Sequence, residues 1–123
     1  MVYFVNIIHL YFLLLTFFRS SDLGVGQGKR SAKSYKFKHN DLEDLKTKVE
    51  KMTTSGEVYV VTESIFSMDG DYPDLPTLVK FCNEKNIFLV VDEAHALGVF
   101  GERGEGLLQH LNLHHKVFAR IVT

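Results

Sequence analysis

The stretch IFLVVDEAH, residues 87–95, decides the fold of this chain. Five apolar residues precede Asp92 without a break, and an apolar run without polar alternation is typical of a strand buried on both faces, as in parallel sheets. The elements around it alternate between strand and helix, and this order requires crossover connections between parallel strands. We therefore expect an α/β fold with three layers, α/β/α, around a mainly parallel sheet.

The other elements are predicted from periodicity on both sides of this strand. Apolar residues recur at helical spacing over 41–54 and over 74–84, which predicts two helices. Asn40 or Asp41 would cap the first helix, and Asp74 would cap the second. The sequence also predicts strands over 34–38, 57–61 and 117–122, a short helix over 105–111, a polar loop over 62–71 and a glycine-rich loop over 98–106.

Composition and charge narrow the function classes. The chain has 123 residues and a formal net charge of −1, so no strong attraction to nucleic acid is expected. A hydrophobic content of 46% with 24% charged residues is typical of a globular protein and not of a disordered one. The single cysteine, Cys82, excludes an intrachain disulfide and lies on the apolar face of a predicted helix, so it is interpreted as a core residue. A cytoplasmic location is expected.

The distribution of charge divides the chain into three parts. Residues 1–18 contain no Asp, Glu, Lys or Arg, and 15 of them are apolar. This segment is expected to be a buried helix, or sequence unrelated to the rest, such as a mis-set gene start. A membrane anchor is the less favoured alternative, since a helix of this length would be about 27 Å long, close to the thickness of the bilayer core. Residues 19–33 are predicted to be a Gly-, Ser- and Lys/Arg-containing linker, and 34–123 the folded domain.

Polar residues follow the ends of the predicted strands, where ligands bind in open α/β sheets. The stretch TESIFSMDGD, residues 62–71, follows one predicted strand. The stretch DEAH, residues 92–95, lies at the end of the next strand, and Thr123 follows the last strand. A carboxylate at the end of a buried strand, such as Asp92, suits the protonated ring nitrogen of pyridoxal phosphate. His95 lies close enough in sequence to approach the same ring, and Thr123 offers a hydroxyl to the phosphate. These residues predict a pyridoxal phosphate site.

Two other interpretations of these residues are less favoured. DEAH also spells the acidic box of a helicase-type ATPase, and GVGQGK, residues 24–29, looks like a phosphate loop. The P-loop pattern requires Gly at position 23 and Ser or Thr at position 30, where this chain has Leu23 and Arg30. His95 has neither an HExxH motif nor a second nearby histidine, so no metal site is predicted.

Two longer motifs at these positions resemble a known family. VTESIFSMDGD, residues 61–71, and VVDEAHALGV, residues 90–99, are similar to stretches of the α-oxoamine synthases. These are pyridoxal phosphate enzymes of the aspartate aminotransferase fold, called fold type I. Residues 34–123 are therefore identified as a central fragment of the cofactor-binding large domain, so the fold expected is a partial domain of the PLP-dependent transferase type.

The resemblance assigns roles to particular residues. It implies that Asp92 pairs with the pyridine nitrogen and that His95 lies beside the phenolic oxygen of the cofactor, which makes these two the expected catalytic residues. It further implies that Ser67 and Glu63 belong to the cofactor pocket and that Thr123 hydrogen-bonds to the phosphate.

The resemblance also implies a reaction and partners. Family members join an amino acid to an acyl-CoA or acyl-carrier-protein thioester with loss of CO₂, and they act as homodimers with the active site at the subunit interface. The branch that the resemblance favours uses L-alanine and a pimeloyl thioester in biotin synthesis. The alternative is the branch that uses L-serine and a palmitoyl thioester, or another oxoamine synthase.

Two departures from the family pattern bear on activity. The lysine that holds the cofactor covalently falls three residues after Thr123, beyond the 123 residues of this chain. The family's ring-stacking histidine has no counterpart in residues 19–32, which contain no His. The 123 residues alone are accordingly expected to be an inactive fragment.

Overall fold

A computed structural model describes residues 2–5, 33–52, 56–66 and 70–122. Its centre is a five-stranded sheet in which every neighbouring pair of strands is parallel. In chain order the strands are β1 (Val2–Val5), β2 (Lys33–Lys36), β3 (Val58–Glu63), β4 (Phe88–Asp92) and β5 (Ala119–Ile121). Their order across the sheet is β2-β1-β3-β4-β5. The helices are α1 (Leu42–Lys51), α2 (Leu75–Glu84) and α3 (Leu107–His110), with a 3-10 turn at His114–Lys116.

The two longer helices begin at the caps that the sequence predicts. The Asp41 carboxylate accepts a hydrogen bond from the backbone N–H of Asp44 at 2.9 Å, and Asp74 accepts one from Thr77 at 3.2 Å. Such caps satisfy backbone donors that have no partner inside the helix. Helix α1 ends at Lys51, earlier than the predicted end at residue 54, because Met52 already has an extended backbone.

One hydrophobic core joins these helices to the sheet. Its members come from α1, α2, α3 and alternate positions of β3 and β4, including Leu45, Leu78, Leu108, Val60 and Val91. Cys82 of α2 is 1% exposed within this core, which confirms its interpretation as a core residue. Burial raises the pKa of the Cys82 thiol to about 12. The prediction of a parallel α/β fold is confirmed.

Four more elements differ in length from their predicted bounds, among them β2, which covers Lys33–Lys36 where the sequence predicts 34–38. Strand β3 runs two residues further, through Thr62 and Glu63, because these residues continue the pairing with β4. Helix α3 is a single turn and does not span 105–111, since Gly106 precedes it with a φ of +105° that cannot continue a helix. Strand β5 covers only three residues of the predicted 117–122.

The first residues of the chain take part in the sheet. Val2–Val5 lie between β2 and β3 and pair in parallel with both, so the prediction of a helix is wrong for these four residues. An unbroken apolar run fits a buried parallel strand as well as a helix, and periodicity does not separate the two. The rest of the apolar segment and the predicted linker up to residue 32 lie outside the described residues. Across the residues that the structure describes, no helix has the length and apolarity of a membrane span.

Candidate active site

The carboxyl ends of β3, β4 and β5 are joined at one edge of the sheet. Glu63 and Asp92 are paired across β3 and β4, and Asp92 is paired with Ile121 of β5. Backbone bonds continue past the strand ends: Ser64 N–H donates to the Asp92 carbonyl and Glu93 N–H to the Ile121 carbonyl, both at 2.9 Å. The sheet therefore brings Glu63 and Asp92 together, as a site at this edge requires.

Strand alternation fixes the face on which these two residues lie. Val60 of β3 and Val91 of β4 belong to the core that packs against the helices. Side chains alternate along a strand, so Glu63 and Asp92 lie on the face away from α1 and α2. That face is also buried at its centre, because Val61 is 0% exposed and Val90 4% exposed.

Asp92 is half-buried and keeps part of its hydrogen-bonding capacity. Its Oδ1 accepts a hydrogen bond from the backbone N–H of Ala94 at 2.8 Å, which orients the carboxylate. The Ser64 hydroxyl donates to the backbone carbonyl of Asp92 at 3.4 Å, but among the described residues no side chain hydrogen-bonds to the Asp92 carboxylate. An oriented carboxylate with a second oxygen available is the acceptor that a protonated ring nitrogen requires.

His95 lies in the turn directly after β4. The turn is held by bonds from the N–H groups of Ala96 and Leu97 to the Glu93 carbonyl, at 2.9 and 3.2 Å. The His95 residue itself is exposed, so its imidazole is accessible at the same edge as Asp92.

Two predicted site residues, Ser67 and Thr123, lie outside the described residues. The loop that contains Ser67 is closed at its base, where Phe66 N–H donates to the Asp71 carbonyl at 2.9 Å and Gly70 N–H to the Phe66 carbonyl at 2.8 Å. The roles of Ser67 and Thr123 stay predictions.

The same loop is tied to the start of α1. His39 Nε2 lies 2.9 Å from Asp71 Oδ2, and Asn40 donates to the same oxygen at 3.1 Å. Desolvation by its surroundings favours the protonated form of Asp71, but the hydrogen bonds from His39 and Asn40 outweigh it and hold the pKa of this carboxyl below its usual range. The ring of His39 also packs on Phe66, with centroids 4.4 Å apart.

Glu93 and its partner Arg120 were not among the residues predicted for this region. Glu93 is the more deeply buried of the two. It is fully buried, accepts a hydrogen bond from the backbone N–H of Leu108 at 2.8 Å, and forms an ion pair with Arg120 of β5. An acidic residue directly after a buried strand, with a basic residue in the next strand, is the sequence signal that points to such a pair.

Comparison with known proteins places the chain among pyridoxal phosphate enzymes. Residues 23–119 match the family model described as aminotransferase class I and II. The serine palmitoyltransferase of Sphingobacterium spiritivorum is 43% identical over 86 residues, which are 70% of this chain and 22% of that protein. The 8-amino-7-oxononanoate synthase of Thermosipho melanesiensis is 37% identical over 92 residues, which are 75% of this chain and 24% of that protein.

A solved structure shows the same fold. The serine palmitoyltransferase of S. paucimobilis, with PLP and myriocin bound, aligns with a TM-score of 0.72 and 26% identity over 94% of this chain and 27% of its own. The chain thus spans about a quarter of the length of the relatives that it matches. Both kinds of relative are α-oxoamine synthases, which confirms the predicted resemblance, and the comparisons support pyridoxal phosphate as the cofactor.

Proposed function

Because this chain belongs to the aminotransferase class I and II family, we propose that it is the cofactor-holding segment of a pyridoxal-phosphate-dependent α-oxoamine synthase. The observation that carries the proposal is the pairing of Asp92 with Glu63 at the carboxyl edge of the sheet, with one Asp92 oxygen bound to the Ala94 N–H. The strand end supplies a carboxylate where an α/β fold binds its ligands.

The roles of the chain's own residues follow from their chemistry. When bound, the cofactor withdraws electrons from the substrate bonds that break. The Asp92 carboxylate accepts the hydrogen bond of the pyridine N–H and keeps that proton in place. We assign to His95 a hydrogen bond at the phenolic oxygen of the cofactor or at the substrate carbonyl. Ser67 and Glu63 are assigned to the pocket wall, and Thr123 to the phosphate.

The proposed reaction joins two substrates. A carbon–carbon bond forms between the α-carbon of an amino acid and the acyl carbon of a thioester. The carbon–sulfur bond of the thioester breaks and releases the thiol, and the amino acid carboxylate leaves as CO₂. The product is an amino ketone, and the substrates are an amino acid and an acyl-CoA or acyl-carrier-protein thioester. We further propose that the complete enzyme is a homodimer that does not bind nucleic acid.

Within this class we propose the reaction of 8-amino-7-oxononanoate synthase, which joins L-alanine to a pimeloyl thioester in biotin synthesis. The relative from Thermosipho melanesiensis supports this choice. The serine palmitoyltransferase reaction is the second candidate, and the 43% identity to the Sphingobacterium spiritivorum enzyme supports it.

The test uses the full-length protein that contains this chain, purified with pyridoxal phosphate. Thiol release is measured with L-alanine and pimeloyl-CoA, and separately with L-serine and palmitoyl-CoA. Activity with the first pair supports the biotin reaction, and activity with the second pair alone supports the alternative. Failure to bind pyridoxal phosphate would refute both.

Asp92 provides the matched variants for this test. Asp92→Ala removes the charged partner of the pyridine nitrogen and should abolish turnover. Asp92→Glu keeps the charge and should retain slight activity. Glu102→Gln, in the exposed part of the glycine-rich loop, is the control. Wild-type turnover in Asp92→Ala would refute the role of Asp92.

A further inference from the structure

A buried ion pair joins three elements behind the candidate site. Glu93, directly after β4, is fully buried, and its Oε2 contacts Nε of Arg120 on β5. Its other carboxylate oxygen accepts a hydrogen bond from the N–H of Leu108 at the first turn of α3, at 2.8 Å. One side chain thus connects β4, β5 and α3.

Arg120 extends this connection to the glycine-rich loop. Its Nη2 donates to the backbone carbonyl of Glu105, near the end of the loop 98–106. The side chain of Arg120 is 26% exposed, so most of it is enclosed. The far end of the glycine-rich loop is therefore hydrogen-bonded to the same ion pair.

The last glycine of the glycine-rich loop leaves room for the ion pair. A Cβ built on Gly106 would lie 2.7 Å from Nη2 of Arg120 and 2.7 Å from Oε2 of Glu93. Cβ atoms do not approach other atoms this closely, so the two charged groups contact the loop only because position 106 carries no side chain.

A contribution to stability alone does not account for this arrangement. Removing two charges from water is costly, and apolar residues often replace a buried pair without loss of stability. Glu93 stands between Asp92 and His95, and Arg120 stands three residues before Thr123. The pair therefore lies at the point where a small shift would turn the proposed cofactor-binding side chains away.

We propose that Glu93 and Arg120 are positioning residues that fix the directions of the Asp92 carboxylate and the His95 imidazole. This inference rests on the proposed function of Asp92 and His95. Precise placement of such groups depends on supporting contacts behind them, and a misplacement of about 1 Å can cost about 100-fold in rate.

The first test compares turnover and stability in the full-length protein with bound pyridoxal phosphate. Glu93→Gln and Arg120→Met each leave one buried charge unpaired, so both should lower Tm and lower kcat about 10- to 100-fold, with little change in KM. The double variant Glu93→Gln/Arg120→Met contains no unpaired charge and should regain Tm but not kcat. The control is Glu84→Gln, which removes an exposed ion pair with Lys80.

Recovery of kcat together with Tm in the double variant would make the pair purely structural and overturn the inference. Unchanged kcat in both single variants would overturn it as well.

The second test needs no cofactor. Hydrogen exchange of the backbone amides over 94–106 should be faster in Glu93→Gln and in the double variant than in wild type and in Glu84→Gln. Unchanged exchange would overturn the inference. A wild-type protein that binds no pyridoxal phosphate would instead refute the proposed function, so the two failures are distinguishable.

Discussion

Single side chains at the carboxyl edge of the sheet differ in how firmly the structure holds them. The Asp92 carboxylate is fixed by the Ala94 N–H at 2.8 Å, and Glu93 is fixed by three partners from other elements. His95 is exposed in the turn that follows. This difference agrees with the proposed roles, in which Asp92 binds the cofactor and His95 contacts the reacting groups.

The role of His95 is testable by its effect on rate and on affinity. We propose that His95 also transfers a proton, so His95→Asn in the full-length protein should lower kcat about 100- to 10,000-fold, the usual contribution of such a side chain. Cofactor affinity, which in the proposed site depends on Asp92, should fall much less. The measurements are kcat and a titration of pyridoxal phosphate followed by absorbance.

The control for this variant is His115→Asn. His115 is exposed and lies in the 3-10 turn before β5, so it is at the amino end of that strand and not at the carboxyl end where the candidate site lies. A collapse of cofactor affinity in His95→Asn, with normal turnover per bound cofactor, would contradict the role.

Cys82 allows a prediction about pH, because burial raises its pKa to about 12 from a usual 9.0. At pH 9 about half of the exposed thiols ionise, whereas roughly one in a thousand of the folded Cys82 thiols does. Iodoacetamide at pH 9 should therefore leave the peptide containing Cys82 unlabelled in the folded protein and label it in urea. The folded protein keeps the Cys82 thiol protonated at pH values where the unfolded chain loses this proton. The contribution of Cys82 to the free energy of unfolding is therefore full below pH 9 and is lost as the pH rises toward 12.

The control for this labelling is Asn83→Cys, which places a second thiol at the exposed neighbouring position of α2 and should acquire one label without urea. If Cys82 in the folded protein were labelled as fast as the thiol introduced at position 83, the burial of this part of α2 would be contradicted.

At the scale of elements, the parts with local signals were predicted well. Asp41 and Asp74 begin α1 and α2 as expected, because a cap acts through backbone groups only three residues away. Strand β4 also agrees closely with its apolar run. The end of β3 was misplaced, because Thr62 and Glu63 are polar and are held in the strand by pairing with β4, a contact that the local sequence does not contain.

The candidate site, like the helices and strands, was predictable where its signals are local. Asp92 and His95 follow a recognisable strand, so their placement at one edge could be derived from the motif. The partnership of Glu93 with Arg120 spans 27 residues and depends on how β5 docks beside β4. The opposite charges at positions 93 and 120 indicate a pair only once β5 is known to lie beside β4, which is why Glu93 was left without a role at the sequence level.

The glycine-rich loop gives a prediction at this scale. Gly106→Ala should destabilise the full-length protein by at least about 3 kcal/mol, because the new Cβ meets both Glu93 and Arg120 and the φ of +105° is strained for alanine. Gly70→Ala is the matched control: its φ is +69°, yet no atom of the described residues lies within 4 Å of the new Cβ. It should cost only about 1–2 kcal/mol.

The measurement is the free energy of unfolding from urea titrations. Equal losses in the two variants would contradict the close contact between Gly106 and the ion pair.

At the scale of the whole molecule, the sheet depends on a strand from the very start of the chain. β1 is the element that connects β2 to β3, since it pairs with each of them over four residues. Its neighbour β3 pairs with β4 on the other side, and β4 carries Asp92. The sheet that presents the candidate site therefore includes Val2–Val5, although sequence analysis assigned residues 1–18 to a separate segment.

This arrangement predicts the effect of a proline in β1. Phe4 pairs with Tyr35 on one side and Val60 on the other, and proline has no N–H to donate to a neighbouring strand. Phe4→Pro in the full-length protein should leave a carbonyl of a neighbouring strand without its donor, at a cost of about 1–3 kcal/mol in the free energy of unfolding measured in urea. Phe4→Leu keeps the N–H and an apolar side chain, so it is the control and should cost distinctly less. If residues 1–18 were unrelated to the fold, both variants would unfold at the wild-type urea concentration, because no backbone bond of the sheet would pass through position 4.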